Sequence, residues 1–183
     1  MQLERPSERL FRSFQQSMLE WEGEHQDGAG IRDAALLATE GGFARWVMQL
    51  RAEEDVPAGE GFVTCSYYWM VEDDEYLGSI ALRHELNDFL RRYGGHIGYS
   101  VRPSARRRGL ATRALRGVLP IAHHRGLAEV LVTCDAQNVG SRRVIEGSGG
   151  RFEKEVTDAA GRVFQRFWIS TSAEPPEPSG TTG

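Results

Sequence analysis

Apolar side chains at Leu10, Phe11, Phe14, Met18, Leu19 and Trp21 fall three and four residues apart behind Ser7, a candidate cap, and predict a helix over 7–24. A second helical stretch follows over 32–50, with Gly41-Gly42 expected to interrupt it. The pattern then changes period. Runs at 62–71 and 76–83 read as strands joined by Glu72-Asp73-Asp74-Glu75, an acidic hairpin tip that suits turn geometry and solvent. A short helix is expected at 86–93, before Gly94-Gly95 resets the chain into a strand at 96–101. Leu110, Ala114, Val118, Ile121 and Ala122 place a helix at 109–124, which Pro120 should kink or shorten. A Val- and Leu-rich strand at 129–134, a helix at 138–148 and a hairpin of 152–156 with 163–169 complete the pattern. The order predicts an α/β (α+β) domain over 1–170, a mixed and mostly antiparallel sheet flanked by helices. The stretch 171–183, rich in Pro, Ser, Thr and Gly, reads as a disordered tail.

Composition narrows the class. The 183 residues, 40% hydrophobic and 26% charged, suit one soluble globular domain. No apolar run reaches the roughly 18 residues of a membrane helix, the N-terminus lacks the design of a secretory signal, and two cysteines make neither a disulfide framework nor a zinc site. A cytoplasmic protein without metal or membrane partner is expected. The net charge of −4 conceals an asymmetry: residues 1–95 carry −9, residues 96–170 carry +7, and the tail −2. Two differently charged ligands on one domain would explain it, as would charges that pair across the fold.

The chemistry concentrates at 99–111. A strand containing Tyr99 and Val101 runs into Arg106-Arg107-Arg108-Gly109-Leu110-Ala111, which opens a helix. Gly109 and Ala111 leave the backbone uncovered, so the free N–H groups of the first helical turn and the helix dipole form an anion site, with three arginines beside it. A pyrophosphate suits it, yet neither the dinucleotide nor the nucleoside-triphosphate glycine motif is present. The arginines would also suit nucleic acid, but the acidic half and the lack of another basic tract argue against that partner.

The stretch resembles the acetyl-CoA motif of the GNAT superfamily of N-acetyltransferases, R/Q-x-x-G-x-G/A, with Arg106, Gly109 and Ala111 at its fixed positions and Val101-Arg102-Pro103 as the preceding strand end. Downstream, the strand 130–134, Asn138, Ser141, Val144-Ile145 and Gly149-Gly150 resemble the family's second motif. The resemblance implies that the backbone of Arg106–Ala111, with Thr112, cradles the pyrophosphate, that the edge at Tyr99 and Val101 binds the pantetheine arm as an added strand, and that Asn138 and Ser141 face the pantetheine or thiol end, with Arg143 near a phosphate. It also implies direct attack by an amine on the thioester of acetyl-CoA.

Where the family often has a tyrosine to protonate the leaving thiolate, this chain has Ile145, so Tyr99 and Ser141 become the candidates for that role. His84, Glu85 and His96 are the candidates for the base. Cys134 could act as an acyl-accepting nucleophile, but a buried strand cysteine is the commoner reading. The −9 half, with Trp21, Tyr68 and Trp69 as candidate pocket residues, points to a cationic small-molecule amine of aminoglycoside type as acceptor, with a protein N-terminus or lysine as the alternative. A catalytically silent acyl-CoA-binding domain stands beside these, and a homodimer is expected by family habit alone.

Overall fold

A computed structural model of the chain describes residues 1–172. It contains strands β1 (Gln2–Glu4), β2 (Cys65–Glu72), β3 (Glu75–Arg83), β4 (Ile97–Val101), β5 (Glu129–Asp135), β6 (Arg151–Thr157) and β7 (Val163–Ser170), and helices α1 (Phe11–Glu20), α2 (Glu40–Ala52), α3 (Leu110–His124) and α4 (Val139–Gly147). The strands form one sheet in the order β1-β2-β3-β4-β5-β7-β6. Every neighbouring pair is antiparallel except β4 and β5, which run parallel and share a single register pair, Ile97 with Val132. Beyond that pair the two central strands part. An antiparallel ladder alternates the direction of its backbone groups, and the Arg102 N–H donates to Leu77 on β3. Tyr99 and Val101 therefore turn their backbone polar groups toward β5, into the opening.

Both faces of the sheet are covered, which explains why β2 reads as a continuous apolar run rather than an alternating one. α1 and α2 pack Leu10, Phe14, Phe43, Trp46 and Leu50 on Trp69 and Tyr76 of one face. α3 and α4 pack Leu110, Ala114, Leu115, Val118 and Ile145 on Ile80, Leu82, Val130 and Val132 of the other. Tyr99 lies against this second core.

Several elements differ from their sequence patterns. The first helix is shorter than 7–24: Ser7 makes no capping side-chain bond, a tight turn occupies Glu8–Leu10, and α1 proper starts at Phe11. Gly41-Gly42 does not interrupt α2 but forms its first turn, because Thr39 caps the helix by accepting the Gly42 N–H at 3.1 Å. The expected helix at 86–93 is present over 88–94: Asn87 Oδ1 accepts the Leu90 N–H at 2.8 Å, and the stretch widens at Leu90–Gly94. Pro120 does not shorten α3, which continues to His124; the proline lies on the exposed side, where water can serve the carbonyl it leaves without a helical donor. β1 has no alternating pattern in its three residues and is held by pairing with β2. Thr171, placed in the tail by composition, is buried, and its N–H donates to the Ala128 carbonyl. Residues 173–183 lie outside the described residues, and with them the rest of the expected tail.

Candidate active site

The anion-binding end of the site is backbone. Gly109 takes φ +73°, a conformation glycine adopts without strain, and a side chain there would find nothing within 4 Å. No side chain caps α3, and its first helical bond in this turn runs from the Arg113 N–H to the Gly109 carbonyl. The N–H groups ahead of it, through Leu110, Ala111 and Thr112, therefore face an open surface at the positive end of the helix dipole. These donors fit a pyrophosphate.

The three arginines have separate anchors. The Arg106 guanidinium lies over the Trp21 ring at 4.9 Å and donates to the Val101 carbonyl at 3.3 Å. Arg108 pairs with Glu72, which also holds the N-terminal ammonium at 2.8 Å. The exposed Arg107 makes no side-chain bond among the described residues. The triplet is thus a framed loop rather than a free basic surface. Its base is Arg102, buried between Glu20 at 2.6 Å and Glu75 at 2.8 Å. Glu20 also accepts the Ser104 N–H at 2.9 Å; burial pushes its pKa up, but these bonds outweigh it and the net shift is downward.

At the opening between β4 and β5, the structure brings Tyr99 and Ser141 together. The Tyr99 hydroxyl lies 2.7 Å from Ser141 Oγ and donates to the Ser141 carbonyl at 3.3 Å. Ser141 is fixed because Asn138 caps α4, its Oδ1 accepting the Ser141 N–H at 2.9 Å. Burial pushes the Tyr99 pKa up to about 12 against the Ser141 bond, with Cys134 and Asp27 adding to the rise. Tyr99 consequently keeps its proton across the neutral range. Burial likewise pushes the Cys134 thiol up to about 11, away from the thiolate that an acyl-enzyme route uses. Arg143 is exposed on α4.

The histidines named as bases are each held in structural hydrogen bonds. His84 holds Ser66 Oγ at 2.9 Å through Nε2 and Thr64 Oγ1 at 2.9 Å through Nδ1, with Arg125 close by. Arg125 follows the last turn of α3, so His84 sits at the far end of that helix, roughly 22 Å from the anion site at 1.5 Å per residue. Burial, then Arg125 and Arg5, lowers its pKa. Glu85 is exposed beside it. His96 Nδ1 accepts the Leu131 N–H at 2.8 Å, while the His96 N–H donates to the Leu131 carbonyl at 2.7 Å. Burial, then Arg83 and Arg91, lowers its pKa to about 4. This imidazole stitches β4 to β5 just before they separate.

The candidate acceptor residues do not converge. Trp69 is fully buried among Phe14, Phe43, Trp46 and Tyr76 and belongs to the core. Tyr68 faces the opposite side of β2, under the Arg5 guanidinium at 5.2 Å. Trp21 supports Arg106. The concavity lies instead between the 25–32 segment and the ends of β2 and β3, a cavity of about 420 Å³ whose walls include Gln26, Glu53, Tyr67 and Arg83. Its mouth is rimmed by exposed Phe62 and Phe89, and Asp27 stands there 3.3 Å from His25. Inside, Glu53 is held by both Arg32 nitrogens at 2.6 and 2.8 Å and by the Tyr67 hydroxyl at 2.9 Å. Gly28 seats this segment on β4: it has φ +73°, and a Cβ there would lie 2.0 Å from the Gly98 carbonyl oxygen. One wall of the cavity thus rests against β4, the strand that borders the opening. No sequence period marks these residues, which come from four separate segments.

A backbone anion site, a parted pair of central strands and a cavity with one wall against β4 are the arrangement of a transferase that takes an acyl group from a CoA thioester. A family model described as an acetyltransferase (GNAT) domain matches residues 10–151. The chain belongs to the GNAT acetyltransferase family and is an acetyl-CoA-dependent acyltransferase. No curated protein matches. Among solved structures it is similar to a protein from Bordetella pertussis described as a GNAT-family acetyltransferase (21% identity, 92% of this chain and 94% of that one, TM-score 0.61). It is also similar to RimL, a ribosomal L7/L12 alpha-N-protein acetyltransferase in complex with coenzyme A (14%, 92% and 92%, 0.66). A third is the ribosomal-protein-S5-alanine acetyltransferase of Vibrio fischeri (15%, 96% and 94%, 0.67). At these identities the likeness is one of fold.

Proposed function

We propose that the chain acetylates the α-amine at the N-terminus of a peptide or protein. The observation that carries this reading is the charge state of the acceptor cavity. Glu53 is neutralised by Arg32, and Arg83 supplies one cation for the one other carboxylate in the walls, Asp27. Elsewhere, carboxylates of the acidic half pair with Arg102, Arg108 and Arg125 of the basic half and with its own Arg5 and Arg9. Such a cavity has no surplus of negative charge for a polycation, which removes the support for an aminoglycoside-type acceptor. A mouth with two exposed phenylalanines admits one chain end and leaves the rest of a peptide outside. Two of the similar folds described above are named as acetyltransferases of ribosomal proteins, one of them as an alpha-N-protein acetyltransferase, which supports the same reading.

Acetyl-CoA supplies an acetyl group already activated as a thioester, held by the first turn of α3 and the exposed edge of β4. The cavity presents the amine from the other side of that strand. His25, oriented by Asp27, accepts the proton that an ammonium must lose, directly or through water. The β4 backbone supplies N–H groups for negative charge developing on a carbonyl oxygen. The Tyr99 hydroxyl, protonated at neutral pH, exchanges its bond to the Ser141 carbonyl for one to the departing sulfur. With a pKa about three units above an ordinary thiol near 8.5, Tyr99 acts as a hydrogen-bond donor rather than by giving up its proton fully.

Thiol release from acetyl-CoA across peptides, polyamines and aminoglycosides tests the assignment. Turnover with peptides of free N-terminus, lost on blocking that amine, is the expected result. Turnover confined to polyamines or aminoglycosides overturns it, and no turnover with any amine favours the silent acyl-CoA binder.

A further inference from the structure

Two polar groups in the acceptor cavity have unused bonding capacity. Arg83, half-buried at the end of β3, donates through Nη1 to the Gly94 and Gly95 carbonyls at 2.9 and 3.2 Å. It meets no carboxylate among the described residues, whereas Arg32 in the same wall is fully matched by Glu53. The carbonyl bonds fix the guanidinium without neutralising it and leave Nε and Nη2 as donors. Gln26, 6% exposed in the same wall, donates through Nε2 to the Met18 sulfur at 3.2 Å, and its Oε1 has no partner among the described residues. A buried acceptor without a donor and a partly buried cation without an anion are each costly, and a ligand carrying the complementary groups satisfies both.

We propose that Arg83 is the specificity residue of this cavity and selects acceptors with an acidic side chain in their first two residues. The inference rests on the peptide reading above and adds the chemical class of the peptide. In this arrangement Arg83 pairs with the carboxylate, and a rotation of the Gln26 amide brings its Oε1 out to accept an N–H from the amine or from the first peptide group. A planar guanidinium offering two donors matches a carboxylate better than an amide of the same shape. The charge pairing also disfavours lysine- or arginine-initiated peptides, which would bring a second cation against Arg83.

The test compares kcat/KM for peptides that differ only in Glu against Gln, or Asp against Asn, at the first or second residue. The wild-type protein should prefer the acidic twin by at least about tenfold, the scale of one charge-assisted hydrogen bond. Arg83→Gln should collapse that ratio toward one, and Arg83→Lys should keep part of it. Equal rates on both twins of the wild type overturn the inference while leaving N-terminal acetylation standing. An undiminished preference in Arg83→Gln overturns the assignment to Arg83. Failure to acetylate either twin overturns the peptide reading itself. The wild-type comparison stands alone if Arg83→Gln fails to fold.

Discussion

Tyr99 combines a buried ring, a hydroxyl anchored on Ser141 and a pKa raised to about 12. The last fixes what it does as pH changes: the hydroxyl remains a donor from acid pH to well beyond pH 10, so it places no alkaline limb on activity in the usual range. Tyr99→Phe should lower kcat by about 10- to 100-fold, the low end of acid–base contributions, with little change in acetyl-CoA affinity. An unchanged kcat would return the role to Ser141 alone. Tyr99 and Ser141 are legible in the sequence because each sits at a fixed offset within a local motif. Gln26, Glu53 and Arg83 carry no such mark. Each is an ordinary polar residue in its own segment and becomes a site residue only when the 25–32 segment folds over the ends of β2 and β3. Trp69 shows the opposite error, since aromatic character alone does not distinguish a pocket wall from a core and its burial is decided by α1 and α2.

At the scale of elements, the phosphate loop is positioned from outside itself. Arg102 joins the end of β4 to Glu20 on the last turn of α1 and to Glu75 on β3, while Glu20 also holds the Ser104 N–H. Arg102→Met leaves those carboxylates without their cation. It should cost about 2 kcal/mol of stability, less than a fully buried pair because Glu75 is half exposed, and weaken coenzyme A binding several-fold. Calorimetric titration and denaturant unfolding measure both, and unchanged coenzyme A affinity would remove Arg102 from the site's framework. Long, strongly periodic elements such as α3, β5 and the last hairpin follow their sequence patterns closely. Elements decided by a few tertiary bonds do not: β1 exists by pairing with β2, and the Gly41-Gly42 pair stays helical through the Thr39 cap.

For the whole molecule, the −9 and +7 halves are matched to each other at four points, in the pairs of Glu20 and Glu75 with Arg102, Glu72 with Arg108, and Glu54 with Arg125. The two halves of the sheet meet at one register pair, reinforced by His96. With a pKa near 4 in the folded chain and about 6.5 unfolded, His96 binds its proton more readily when unfolded. Its contribution is complete above pH 6.5 and is lost as pH falls toward 4. Thermal unfolding should therefore show a midpoint that drops through this window. His96→Leu should flatten that part of the slope and destabilise at neutral pH by about 1–3 kcal/mol, because the Leu131 N–H loses its acceptor. A slope unaltered in the variant would assign it to other groups. The central claim concerns which amine is acetylated, and fragment-ion mass spectrometry decides it on a peptide with a free acidic N-terminus and internal lysines. The account predicts one acetyl group, placed on the first residue; an acetyl group on a lysine side chain, or an unmodified peptide, contradicts it.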